Sequence, residues 1–239
     1  MRDIQIVILA AGLGTRLGMN IPKPLTPLAD GRSILQHQLD KLSATFADSA
    51  RIVMVVGYKA ELVMQAAPDV LFAFNERYGT TNTSKSLLRV LRNTHDGGVL
   101  WLNGDVVFDQ SLLEQIRPLV EADRTFVCVN RARVGDEEVK YTLDADGYVA
   151  ELSKQVVGGL GEAVGINHVS AADKALLIER LEQCSDLDYF ERGLALGIEL
   201  DGMRVEAVDV SSHFAVEVDF AEDLARANTE VIKSATSAA

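Results

Sequence analysis

The chain has 239 residues, 48% hydrophobic and 24% charged, an ordinary composition for a soluble globular protein and enough length for one sizeable α/β domain. A formal net charge of −12 argues against nucleic acid as a partner, and no apolar run approaches the roughly eighteen residues of a membrane span. Cys128 and Cys184 form neither a metal spacing nor a disulfide framework, and the N-terminus carries no signal-peptide pattern, so a cytoplasmic protein is expected.

The apolar run from Ile4, broken only by Gln5, reads as a buried strand of a parallel sheet. It leads into Ala10-Ala11-Gly12-Leu13-Gly14-Thr15-Arg16, where small residues let the backbone approach a ligand and successive N–H groups can cradle phosphate. Lys23 follows between Pro22 and Pro24, which fix the backbone and present the lysine with little freedom. Loop, Arg16 and Lys23 together make a polyphosphate site. The Walker A continuation is missing, Leu17 stands where the dinucleotide fingerprint needs its third glycine, and Pro22, Pro24 and Pro27 deny that fingerprint its long helix. AAGLGTRLG followed by PKPL resembles the signature of the nucleoside-triphosphate transferase family, which makes nucleotide-activated sugars, alcohols and cofactors. The resemblance implies that Ala10, Ala11, Gly12, Gly14, Thr15 and Arg16 wrap the triphosphate and that Lys23 touches it.

Ser33 can cap a helix running through Leu35, Leu39, Leu42 and Phe46. Arg51 to Gly57 is a second strand, with Gly57 counted among the nucleotide-binding residues; a short helix begins near Ala60, and Val70 to Phe74 is a third strand. This alternation implies a mostly parallel sheet covered on both faces. The polar stretch from Asn75 to Ser86 follows a strand end and so lies on the ligand edge. It resembles the Asn-x-x-Tyr…Asn-x-x-x-Ser-Leu segment of phosphocholine and related cytidylyltransferases, which implies nucleotide contacts from Asn82 and Ser86. Helix capping by Thr81 or Asn82 remains open beside that role.

The strand Val99 to Leu102 delivers Asn103-Gly104-Asp105, a carboxylate beside a glycine that admits a ligand, which suits a hard cation such as Mg²⁺. The resemblance implies Asp105 as a metal ligand and Gly104 as part of the nucleotide site. Asp109 is expected to cap the helix Ser111 to Val120. From Thr125 the pattern turns strand-like: Phe126 to Asn130, Lys140 to Leu143, Tyr148 to Ser153 and Ala163 to Val169. Hairpins here suggest an antiparallel lobe over the active-site edge, carrying Lys140 and Lys154 as phosphate contacts or as ordinary solvated lysines. By resemblance Glu162 is an acidic residue of the acceptor site.

Ala171 to Cys184 reads as a helix, another opens at Asp188-Tyr189-Phe190-Glu191, and late strands lie at Val205 to Val208 and Phe214 to Val218. Asp219 either caps the last helix, Ala221 to Ile232, or by resemblance joins Asp105 as the second metal ligand. A quaternary ammonium calls for an aromatic cage, and only Tyr189 and Phe190 are well placed for one. Glu162, Asp188 or Glu217 suits a primary ammonium instead. No Gly-x-Ser-x-Gly elbow or HExxH occurs, so hydrolase chemistry finds no support.

The expected architecture is a Rossmann-like three-layer α/β/α fold with a mixed, mostly parallel central sheet and a small antiparallel extension. One nucleotidyltransferase domain is expected over 1–233: a nucleotide-binding half (1–124), an acceptor-binding half (125–218) and a closing helix (219–233), with a fraying tail at 234–239. The resemblance, closest to phosphocholine and aminoethylphosphonate cytidylyltransferases, implies transfer of CMP from CTP to a small phosphate- or phosphonate-bearing acceptor. Mg²⁺ is the implied cofactor, Arg16 and Lys23 the catalytic cations, and Lys140, Lys154, Glu162, Tyr189 and Glu217 the acceptor residues. Two alternatives stay open: a sugar-1-phosphate nucleotidylyltransferase using UTP, dTTP or GTP, and a non-catalytic nucleotide-binding regulator. A homodimer is left open as well.

Overall fold

Strand β1 (Ile4–Ala10) runs through the middle of the protein, buried along its whole length after Ile4. The computed structural model describes residues 4–14, 17–132, 134–135 and 138–237. β1 pairs in parallel with β2 (Ala50–Val56) on one side, and β2 in turn with β3 (Leu71–Phe74) at the sheet edge. On the other side β1 pairs in parallel with β4 (Val99–Asn103). Successive side chains of a strand point to opposite faces. Ile6, Ile8 and Ala10 accordingly join one apolar cluster, while Val7 and Leu9 join another. A strand buried on both sides needs no polar alternation, which is why its sequence is almost continuously apolar.

The first face is covered by α1 (Ile34–Phe46), α2 (Ala60–Ala66) and, beyond the short strand β5 (Val106–Phe108), by α4 (Gln110–Glu121). The second face carries α3 (Thr83–Leu91), α5 (Ala171–Gln183) and α6 (Phe190–Asp201). Ser33 caps α1 as expected, in a capping box: its hydroxyl accepts from Gln36 N at 3.2 Å while Gln36 Oε1 accepts from Ser33 N at 2.8 Å.

Beyond β4 the sheet continues through β9 (Glu162–Val169), β6 (Phe126–Asn130) and β10 (Glu206–Asp209). β9 is antiparallel to both its neighbours, whereas β10 is parallel to β6. Along this path β9 is the reversed strand, which makes the sheet mixed. The hairpin of β7 (Lys140–Leu143) and β8 (Val149–Ser153) hangs from β9 and is the expected antiparallel extension.

Three details depart from the sequence expectations. The late strand, β11 (Ala215–Glu217), does not enter the central sheet; it forms a separate antiparallel ribbon with β5, Glu217 opposite Val106. Asp109 occupies the cap position of α4, but its carboxylate accepts from Phe214 N at 2.9 Å and so ties that ribbon down instead of capping. The final helix α7 (Ala221–Ser237) continues into the stretch expected to fray. Its residues there are small and helix-compatible, and Thr236 bonds back to Ile232 O at 2.9 Å.

Candidate active site

The carboxyl ends of β1 and β4 open into a cleft of about 410 Å³, walled by the starts of α3 and α6 and by the end of β11. A cleft at strand ends is where α/β sheets bind ligands. The small-residue loop leaving β1 forms one wall, with Ala10, Ala11, Gly12 and Gly14 all lining it. Thr15 and Arg16 lie outside the described residues.

Lys23 stands opposite, in a single 3-10 turn over Lys23–Leu25 that follows Pro22 and buries Pro24. Gly104 explains how that turn reaches the strand ends. Its N–H donates to Leu9 O at 2.9 Å, and a Cβ there would fall 2.9 Å from the same oxygen and 3.0 Å from Pro24 Cγ. Only glycine fits between the end of β1 and the proline turn.

Two carboxylates converge on the lysine. Asp105 Oδ2 lies 3.0 Å from Lys23 Nζ, and Asp219 Oδ1 contacts the same nitrogen. The ribbon makes this meeting: β5 starts directly after Asp105, β11 ends directly before Val218 and Asp219, and Val218 N donates to Asp105 O at 3.0 Å. Two acceptors on one ammonium are separated by no more than roughly 6 Å. Burial works against the Lys23 charge, yet attraction from Asp105 and the bonds to Asp219 outweigh it, and its pKa is raised. At the start of α7, Asp223 Oδ2 accepts from Asp219 N at 3.3 Å and from Phe220 N at 3.0 Å.

Asn82 has a capping role and a place in the cleft wall. It caps α3, accepting from Thr83 N at 2.8 Å, and it lines the cleft. Ser86 also lines the cleft, its hydroxyl held by Asn75 Nδ2 at 3.0 Å. Gly57 does not line it: a Cβ there would meet Tyr78 Cβ at 2.5 Å and Ala11 O at 2.7 Å, so its part is close packing behind the loop.

The cleft also carries buried acidic side chains. Glu217 Oε1 accepts from Asn103 Nδ2 at 2.6 Å beside Gly165, which has φ +69, and a Cβ at that glycine would fall 2.4 Å from the carboxylate oxygen. Burial, reinforced by the negative charge of Asp105, drives the Glu217 carboxyl well above its usual range. Burial also raises Glu138, with Glu162 adding to it, and pushes Glu191 up to about 7. Lys154 Nζ sits 4.6 Å from the centre of the Tyr189 ring. Lys154, Tyr189 and Glu217 line the cleft, whereas Lys140 and Glu162 are not among its lining residues. They pair across β7 and β9, and Glu162 Oε2 accepts from Gly135 N at 2.7 Å, bracing the hairpin. Glu138, Glu191 and Asn103 were not anticipated. The signal for Glu191 was an acid directly after Asp188-Tyr189-Phe190 at a helix start; Glu138 and Asn103 had none beyond neighbouring strands.

Among the described residues no group of three or more His, Cys, Asp or Glu forms a metal cluster. The donor set nevertheless fits a hard cation, since Asp105 and Asp219 already enclose one positive charge, that of Lys23. Mg²⁺ commonly takes one or two carboxylates, its other positions going to phosphate oxygens and water.

A small-residue loop at parallel strand ends, facing a lysine between two carboxylates, is the arrangement of an α/β nucleotidyltransferase. The chain belongs to the MobA-like NTP transferase domain family, which it matches over residues 6–190. It is 31% identical over 241 residues to the CMP-5'-(3-aminopropyl)phosphonate synthase of Streptomyces rubellomurinus, covering 90% of this chain and 37% of that protein. The chain thus spans little more than a third of that relative's length. In fold it is similar to the inositol-1-phosphate CTP transferase of T. maritima, with a TM-score of 0.74 at 16% identity over 92% of this chain and 91% of that one. The CTP:phosphocholine cytidylyltransferase of Streptococcus pneumoniae gives a TM-score of 0.74 at 18% identity, over 96% and 99%. Among the described residues no helix is long and apolar enough to cross a membrane.

Proposed function

We propose that the protein is a cytidylyltransferase, moving CMP from CTP to a small acceptor that bears a phosphonate or phosphate and releasing pyrophosphate. The observation that carries this is the convergence of Asp105 and Asp219 on Lys23 beside the glycine loop. A triphosphate and a divalent cation need those groups in one place. Asp105 and Asp219 would hold the cation, Mg²⁺ in this proposal, which when bound supplies charge neutralisation at the phosphate oxygens.

An oxygen of the acceptor's phosphonate attacks the α-phosphorus in line. The bond from that phosphorus to the oxygen bridging to the β-phosphate breaks, and pyrophosphate leaves with the electron pair. The attacking oxygen is already anionic, so neither a protein nucleophile nor a general base is required. The protein's work is orientation and charge neutralisation. Lys23, held by its flanking prolines, donates to the phosphate oxygens as charge builds, and Arg16 contributes a second cation from the loop. Asn82 and Ser86 hold the nucleoside. The nucleotide half is taken as 1–124 and the acceptor half as 125–218.

Cytidine as the base rests on the likeness to CTP-using proteins. An amine-bearing acceptor such as 2-aminoethylphosphonate is supported by the acidic lining from Glu138, Glu191 and Glu217, together with the aminopropylphosphonate relative. The cytoplasm, which supplies CTP, is the proposed site of action. The test is a pyrophosphate-release screen of CTP, UTP, GTP, ATP and dTTP against 2-aminoethylphosphonate, phosphocholine, inositol phosphate and hexose 1-phosphates. CTP with the aminoalkylphosphonate should be the fastest pair. UTP or dTTP with a hexose 1-phosphate as the best pair would instead support sugar activation, and silence in every well a regulatory role.

A further inference from the structure

Glu191 is 7% exposed, lines the cleft, and has no hydrogen-bond partner for its Oε2 among the described residues. A carboxylate buried without a partner costs several kcal/mol unless something repays it. Its place in the first turn of α6 offers part of the answer, because peptide N–H groups at a helix start favour negative charge. That position serves one oxygen at most and leaves Oε2 unsatisfied.

The neighbouring groups narrow what can complete it. Lys154 makes no ion pair with Glu191 among the described residues; its ammonium lies over the face of Tyr189, 4.6 Å from the ring centre. Phe190 is buried edge-on against Trp101, with ring centres 5.5 Å apart at 89°. Phe190 is buried and Tyr189 already carries the Lys154 ammonium over its ring, so the two form no aromatic cage for a quaternary ammonium, which binds by cation–π contact and has no N–H to donate. Glu138 and Glu217 line the same cleft and add further carboxyl acceptors there.

We propose that Glu191 is a specificity-determining residue of the acceptor subsite: its carboxylate receives the primary ammonium of an aminoalkyl phosphonate or phosphate, and the protein thereby selects zwitterionic acceptors. The proposal rests on the cytidylyl-transfer function above. A primary ammonium supplies up to three N–H donors, one for Oε2 and others for adjacent acceptors. Losing a hydrogen bond to a charged partner costs more than losing a neutral one.

The test compares kcat/KM for 2-aminoethylphosphonate, 2-hydroxyethylphosphonate and the trimethylammonium analogue, each with CTP, in the wild-type protein and in Glu191→Gln and Glu191→Asp. The wild type should prefer the primary amine over both others by at least tenfold. Glu191→Gln should bring the amine-to-hydroxyl ratio down at least tenfold, mainly through KM for the amine, and Glu191→Asp should restore part of it. A wild type with no preference for the amine overturns the proposal even if neither variant folds. So does a glutamine variant that keeps the full ratio or slows both acceptors equally. Turnover with no acceptor at all would overturn the cytidylyl-transfer function itself, an outcome distinct from turnover without selectivity.

Discussion

Lys23 Nζ and Asp105 Oδ2 lie 3.0 Å apart although 82 positions separate them in the chain, and Asp219 closes on the same nitrogen from 196 positions away. The contact joins the proline turn after β1 to the strand end of β4 and the ribbon of β5 and β11. If Lys23 stabilises charge during phosphoryl transfer, Lys23→Ala should lower kcat by roughly 10²-fold or more, in line with losing one preorganised donor. Circular dichroism should stay that of the wild type, because the turn is held by Pro22 and Pro24 and not by the ammonium. Near-normal turnover would remove Lys23 from the chemistry.

The two carboxylates are predicted to act on the metal together. Asp105→Asn or Asp219→Asn should raise the Mg²⁺ concentration for half-maximal activity by about tenfold or more, since Mg²⁺ draws on few protein ligands and each one counts. Mn²⁺ binding in the presence of CTP, followed by electron paramagnetic resonance, should weaken in parallel. Unaltered metal binding in both variants would contradict the shared site.

Gly165→Ala tests the support under Glu217. The residue has φ +69, in the left-handed region, and a Cβ would stand 2.4 Å from Glu217 Oε1 and 2.8 Å from Asn103 Nδ2. The substitution should cost on the order of 1–3 kcal/mol in stability, combining backbone strain with displacement of the carboxylate. Thermal denaturation checks it, and an unchanged Tm would show that the loop and Glu217 give way freely.

How the elements were legible in sequence follows from the range of each signal. The β1 strand, the loop and the Pro22-Lys23-Pro24 clamp are local patterns, and each appears where its residues required. So does the cap at Ser33, where side-chain chemistry and position are separated by only three residues. The ribbon was invisible because β5 is three residues long and its partner lies more than a hundred positions on; apolar runs of that length carry no period. For the same reason the meeting of Asp105 with Asp219 could be anticipated only by resemblance. Glu162 and Lys140 stand outside the cleft lining although the sequence offers them as acceptor contacts, because alternation along a strand gives two faces without saying which one meets the ligand.

Glu191 sets a pH dependence whose sign can be worked out. Burial raises its folded pKa from 4.5 to about 7, so the folded protein favours the protonated acid. The resulting stability is fully present below the unfolded value and is lost as pH rises through about 7, by a few kcal/mol in order of magnitude. Glu191→Gln, which stays neutral, should therefore raise Tm relative to the wild type at pH 8 and leave it near the wild-type value at pH 4. A variant less stable than the wild type at pH 8 would mean that the carboxylate is not the uncompensated charge described.

The central claim is that this cleft joins CMP to a phosphonate oxygen. Phosphorus NMR of the protein with CTP, Mg²⁺ and 2-aminoethylphosphonate tests it most directly, because the reaction leaves a distinctive pair of products. The expected result is stoichiometric appearance of pyrophosphate and of a coupled phosphonate–phosphate anhydride, with CTP consumed in preference to UTP, GTP, ATP or dTTP. Pyrophosphate appearing with free CMP and an untouched phosphonate would contradict it, as would anhydride formation only with a hexose 1-phosphate and another nucleotide.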